Sequence, residues 1–97
     1  MIKVVKENNY IKISGHANYA EYGQDIVCAS VSSIVYTTVN GILNFDSEAI
    51  KVIDEDNFEI IINKDDNITS TLINNMMVLL EDIENKYPKE IKISKGE

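Results

Sequence analysis

The sequence predicts an α+β fold in the order ββαββαβ: a mostly antiparallel five-stranded sheet with two helices laid against it. Three observations predict it. Period-two apolar runs arrive in pairs joined by short polar turns, the pattern of hairpins rather than of strands alternating singly with helices. Two longer segments repeat apolar residues at spacings of three and four, the helical period. Finally, 97 residues, 44% of them hydrophobic and 26% charged, suffice for one core and are too few for two, so residues 1–97 read as a single domain.

Ile2 to Lys6 and Tyr10 to Ser14 form the first pair of strands. In the second strand Tyr10, Lys12 and Ser14 alternate with Ile11 and Ile13, and Glu7-Asn8-Asn9 supplies the turn. From Ala17 to Gln24 the periodicity disappears, so this segment is expected to be an exposed loop. Val27, Val31, Ile34, Val35, Val39, Ile42 and Leu43 then share one helical stripe, predicting a helix from Asp25 to Asn44. Its many β-branched residues lower its intrinsic propensity, so tertiary packing has to hold it.

Glu48 to Ile53 and Phe58 to Asn63 form the second pair, with Phe58, Ile60 and Ile62 on one face and Asp54-Glu55-Asp56-Asn57 as an acidic turn. Asp66 is placed to cap a second helix in which Ile68, Leu72, Met76, Leu79, Leu80, Ile83 and Tyr87 share a face, and Pro88 stops it. That helix carries Ile73, Met77 and Val78 as well, more apolar surface than one sheet face needs, which marks either an interface with a second copy or a wider internal core. Glu90 to Ser94 closes the chain as a strand with Ile91 and Ile93 inward.

Charge and composition exclude several function classes. Sixteen acidic residues against nine lysines, with no arginine, give a net charge of −7, the wrong sign for direct contact with nucleic acid. Uninterrupted apolar runs are only a few residues long, against about 20 for a span, so no membrane partner is expected. No export signal is visible, and a single cysteine cannot form an internal disulfide, which together point to the cytoplasm. One histidine and one cysteine are also too few soft ligands for a structural zinc.

Those two residues are where chemistry is expected. His16 follows the second strand between Gly15 and Ala17. Cys28 lies three residues after Asp25, so with Asp25 as N-cap it falls at the third helical position. A thiol there feels the positive helix end, which favours the thiolate, and the free amides can receive an oxyanion. The eleven residues between His16 and Cys28 allow the two to face one another as a catalytic pair. The plainer reading stands beside it: a free cysteine between Val27 and Ala29 is commonly a small buried hydrophobe, Asp25 only a helix cap, and Tyr19 and Tyr22 cover for the sheet edge.

Gly15-His16-Ala17, followed by Glu21-Tyr22-Gly23-Gln24-Asp25-Ile26-Val27-Cys28-Ala29 and then Ser32, closely resembles the signature of the ribosomal-processing cysteine proteases, the Prp family. The resemblance implies an endopeptidase that removes a short N-terminal extension from the twenty-seventh large-subunit ribosomal protein, cutting after a phenylalanine. It implies Cys28 as nucleophile, His16 as general base and then acid, Gly15 and Ser32 lining the site, and Asp25 capping the helix, orienting His16 or both. No metal or organic cofactor is implied, and the protein is expected to be a homodimer. The Ala17 to Gln24 loop, with Tyr22 and a hinge at Gly23, resembles the family's segment that folds over bound substrate. The alternative from another class is a non-catalytic ribosome-assembly module that holds the same ribosomal protein without cutting it.

Overall fold

The computed structural model describes residues 1–15 and 22–96, with the backbone alone for 22–25. Its elements follow the predicted order: β1 (Ile2–Glu7), β2 (Tyr10–Ser14), α1 (Tyr22–Phe45), β3 (Ile50–Asp54), β4 (Phe58–Ile62), α2 (Asn67–Lys86) and β5 (Ile91–Lys95). The sheet runs β3-β4-β2-β1-β5. Three of its pairings are antiparallel, and the fourth, β1 with β5, is parallel, because α2 carries the chain back along the sheet before β5 begins.

Register fixes which side chains meet the helices. Val4 pairs with Ile13 and Ile93, and Ile11 pairs with Ile60, so one face of the sheet is aliphatic from strand to strand. Val4, Ile11, Ile60 and Ile91 are fully buried on it, each worth about 1.5–3 kcal/mol on leaving water. From α1, the predicted stripe delivers Val27, Val31, Val35, Val39 and Ile42 to the same core, with Ile34 and Leu43 at its margin. Ile26–Phe45 is apolar enough, at a mean hydropathy of 1.6, to cross a bilayer by length and composition. Its stripe is nevertheless spent on the sheet, and the outward positions include Ser32, Ser33, Thr37 and Asn40.

Two expectations need correction. The helix α1 starts at Tyr22, so Asp25 sits inside its first turn and is not the N-cap, and Tyr22-Gly23-Gln24 belong to the helix rather than to the preceding loop. The buried face of α2 is Thr69, Ile73, Met76, Met77 and Leu80, whereas Ile68 and Leu79 are exposed. Apolar residues occupy every position from Met76 to Leu80, so the spacing admits neighbouring faces and packing chooses between them. Of the surplus, Ile73 and Met77 belong to a wider internal core, and Val78 is exposed along with Ile68 and Leu79. The Asp66 cap is as expected, its carboxylate accepting the Thr69 amide at 2.8 Å.

Candidate active site

One end of the sheet gathers the end of β2, the first turns of α1 and the β3–β4 turn. The gathering depends on Gly15. Its φ of 70° lies in the left-handed region, and a Cβ there would come within 2.2 Å of the Met1 carbonyl oxygen. Only glycine satisfies both conditions. It lets β2 end against the start of β1.

Along α1, Cys28, Ser32 and Tyr36 follow one another at intervals of four, and all three open onto a cleft of about 170 Å³. Gly15 borders it on the β2 side. Ile13, Val31, Val35 and Phe58 supply the apolar part of its lining, and Asp54, Glu55 and Asp56 an acidic rim. Cys28 is half-buried and free, packed against the core rather than sealed in it. Tyr36 donates its hydroxyl to Asp54 Oδ2 at 2.6 Å, and its ring meets Phe58 edge to face at 5.1 Å and 72°. That hydrogen bond to the carboxylate raises the Tyr36 pKa above its ordinary value of 10.0, so the phenol remains a donor at neutral pH.

Of the residues singled out in the sequence, Gly15, Cys28 and Ser32 are brought together here. His16, the loop from Ala17 to Glu21, and the side chains of Tyr22, Gly23 and Asp25 lie outside the described residues. The amide arrangement expected at Cys28 is not found. Cys28 is the seventh residue of α1, so its own N–H is spent inside the helix, and the free amides lie at the turn of Tyr22, about 9 Å back along the axis.

Sequence reading missed Tyr36, Asp54 and Phe58. The first carried a signal, since it continues the interval of four from Cys28 through Ser32. The acidic turn carried none that separates a cleft rim from an ordinary solvated turn. A second cavity, about 480 Å³, lies at the opposite end of the sheet among Lys6, Asn8, Asn63, Asp65 and Asn74. Larger and more polar, it contains no thiol or imidazole among its described lining residues.

A half-buried thiol beside an apolar cleft suits nucleophilic attack on a peptide whose side chain lodges in that cleft. Comparison with known proteins finds the following similarities. The family model for cysteine protease Prp matches residues 1–92. The ribosomal processing cysteine protease Prp of Staphylococcus aureus (strain Mu50 / ATCC 700699) is 33% identical over 86 residues, covering 84% of this chain and 81% of the relative. Its namesake from Bacillus subtilis (strain 168) is 35% identical over 91 residues, covering 86% and 81%. The crystal structure of the S. aureus ribosomal processing protease Prp with a covalently linked product peptide superposes with a TM-score of 0.87 at 29% identity, covering 99% of this chain and all of that one.

Proposed function

The chain belongs to the Prp family of cysteine proteases, and from that premise we propose that it is the cytoplasmic endopeptidase that trims the N-terminal extension of the twenty-seventh large-subunit ribosomal protein. Cys28 is the nucleophile in this reading and His16 its proton acceptor and donor. The observation that carries it is the position of Cys28, half-buried on the lining of a cleft that Gly15, the chain neighbour of His16, also borders. A related protease with a peptide covalently attached supports a thioester route.

The cleavage proceeds in two halves. His16 takes the Cys28 proton and Sγ adds to the carbonyl carbon of the scissile bond. As the tetrahedral adduct collapses, the C–N bond breaks and His16 returns the proton to the leaving amine, the new N-terminus of the ribosomal protein. Water, deprotonated by His16, then splits the thioester and restores the thiol. The opposite net charges of this acidic chain, at −7, and a basic ribosomal protein speed encounter in a salt-dependent way.

The test is a peptide spanning the extension junction. Wild type cleaves it once, and Cys28→Ala abolishes cleavage while circular dichroism shows an unchanged fold, since alanine suits a helix. His16→Ala slows turnover about 100-fold or more. Retained cleavage in Cys28→Ala, or a wild type that binds the peptide without cutting it, overturns the proposal.

A further inference from the structure

Both helices pack on one face of the sheet, and among the described residues no helix covers the other. Within the strands, register assigns that outer face Lys3, Lys12, Lys51 and Lys92 against two acids, Glu7 and Glu59, in a chain whose net charge is −7. The lysines do not scatter. Lys92 and Lys3 stand side by side, Lys12 is one strand over and two residues along, and Lys51 is two strands further and two residues further along. With strands about 4.8 Å apart and a rise of about 3.3 Å per residue, they draw a diagonal roughly 23 Å long. Acids hold the corners it misses, Glu7 at one and Glu55 and Asp56 of the β3–β4 turn at the other. Lys51 and Lys92 are on edge strands, where lysine has the ordinary task of keeping sheets from pairing. Lys3 and Lys12 are on inner strands, and like charges placed opposite each other, as Lys3 and Lys92 are, destabilise a sheet. Among the described residues none of the four has a carboxylate within 4 Å; the ion pairs there are Lys64 with Asp46 and Lys95 with Glu81.

We propose that this diagonal is a seat for single-stranded RNA, each lysine meeting a backbone phosphate and Tyr10 stacking a base. The choice of RNA rests on the protease reading, whose substrate is a ribosomal protein. A narrow stripe flanked by acids fits a linear polyanion, whereas a flat anionic membrane meets the acidic corners as well. Tyr10 is placed for a base: its hydroxyl donates to Glu59 Oε1 at 2.6 Å, which holds the ring down on the sheet between Lys12 and Lys51. The same bond occupies the carboxylate nearest the stripe. An aromatic ring set among cations holds a single strand in a sequence-tolerant way. Ser14, in register with Lys3, supplies a hydroxyl partner for a ribose 2′-hydroxyl. The net charge of −7 speaks against nucleic acid for the chain taken whole, but it averages over a segregated surface. Its repulsion is screened beyond about 8 Å in physiological salt, while the stripe acts in contact. The Lys3 end adjoins Ile2, which lines the Cys28 cleft, so RNA on the stripe leads up to the cleft.

The test titrates the full chain into a fluorescein-labelled uridine dodecamer and follows anisotropy. The dissociation constant is expected at about 10–100 µM in about 50 mM salt, and log K falls with log salt at a slope of about −3, the value for four phosphates of a single strand. Lys3→Gln, Lys12→Gln and Lys51→Gln each weaken binding about 5-fold and take about 0.7 off the slope. Lys86→Gln, at an exposed position near the end of α2, changes neither. Tyr10→Phe keeps the ring and the affinity, and Tyr10→Ser loses about 5-fold or more. Thermal midpoints of the lysine variants do not fall, since no ion pair is lost, which separates weakened binding from unfolding. A dodecamer that does not bind, or that Lys86→Gln weakens as much as Lys12→Gln does, overturns the stripe. Tighter binding of a deoxythymidine dodecamer, or phosphatidylserine-rich vesicles held through the same lysines, overturns RNA as the occupant. The protease reading is judged apart. A wild type that binds the dodecamer but leaves the junction peptide uncut overturns that reading and keeps the stripe, and cleavage without RNA binding does the reverse.

Discussion

The two ends of the sheet are built from matching parts, a strand turn and the start of a helix, and they end in different chemistry. At one end, α2 begins under its own cap, Asp66, and the neighbouring polar groups satisfy one another: Ser70 donates to Asp65 at 2.9 Å and Lys64 to Asp46 at 2.8 Å. At the other end, α1 begins at Tyr22 with its aspartate inside the helix, and the cleft beside it shows a thiol and an exposed tyrosine. The larger cavity is the one at the satisfied end, about 480 Å³ against about 170 Å³. The contrast teaches that volume does not mark the reactive site. Carboxamides such as Asn8, Asn63 and Asn74 bind but neither attack nor move protons near neutral pH, whereas the smaller cleft holds a thiol, the group the proposed reaction needs.

The largest expected effect breaks the reactive end outright. Gly15→Ala forces a left-handed backbone on an L-residue and drives a methyl into the Met1 carbonyl, which together cost about 2–5 kcal/mol. Thermal melting of the variant is expected to fall by about 10 °C or more. Gly41→Ala is the matched control: its added Cβ meets nothing within 4 Å, in an exposed helical position, and it stabilises α1 by about 0.5–1 kcal/mol. If both substitutions prove equally mild, the turn at Gly15 is not what closes the cleft.

A smaller effect distinguishes the helix starts. Asp66→Ala removes an observed cap and is expected to cost about 0.5–2 kcal/mol in urea unfolding. Asp25→Ala leaves stability within about 0.5 kcal/mol of wild type, because a residue inside the first turn gives up a weak dipole interaction and gains in helix propensity. If Asp25→Ala also loses activity, the aspartate serves the reaction and not the helix. Equal losses of stability at the two sites would restore Asp25 as a cap.

The same pair shows what was legible in the sequence. An aspartate ahead of an apolar-periodic run was read as a cap in both helices, and only Asp66 is one, because the capping signal says nothing about whether the residues before it continue the helix. The hairpins were legible because strict alternation with a polar turn admits one register, and α1 because its stripe of Val27, Val31, Val35 and Val39 is narrow. The face of α2 was displaced because Met76 to Leu80 is apolar on every side. In the cleft, Gly15, Cys28 and Ser32 belong to one contiguous motif. Tyr36, Asp54 and Phe58 are assembled by tertiary closure, and an acidic hairpin turn looks the same in sequence whether it faces solvent or a substrate.

The smallest effect contrasts the two side-chain ties that fasten the ends. Lys64 and Asp46 form an exposed ion pair that holds the α1–β3 connection to the segment before α2. The hydrogen bond from Lys64, and then the one from the Glu48 amide, lower the Asp46 pKa below its ordinary 3.8, and the same contact raises that of Lys64 above 10.5. A carboxylate whose folded pKa is depressed contributes stability that is fully present above its unfolded pKa and is lost as pH falls through the folded one. The gap in urea midpoint between wild type and Lys64→Gln is therefore expected to be small at pH 7, to shrink below about pH 4 as Asp46 takes up its proton, and to shrink again in 1 M salt. The Tyr36 to Asp54 tie has a neutral donor, so the gap between wild type and Tyr36→Phe at pH 7 should survive the same salt. If salt erases both gaps equally, the two ends are fastened by the same electrostatics and the distinction between them fails. If it erases only the first, the tie that sets the cleft wall holds at ionic strengths that release the far end.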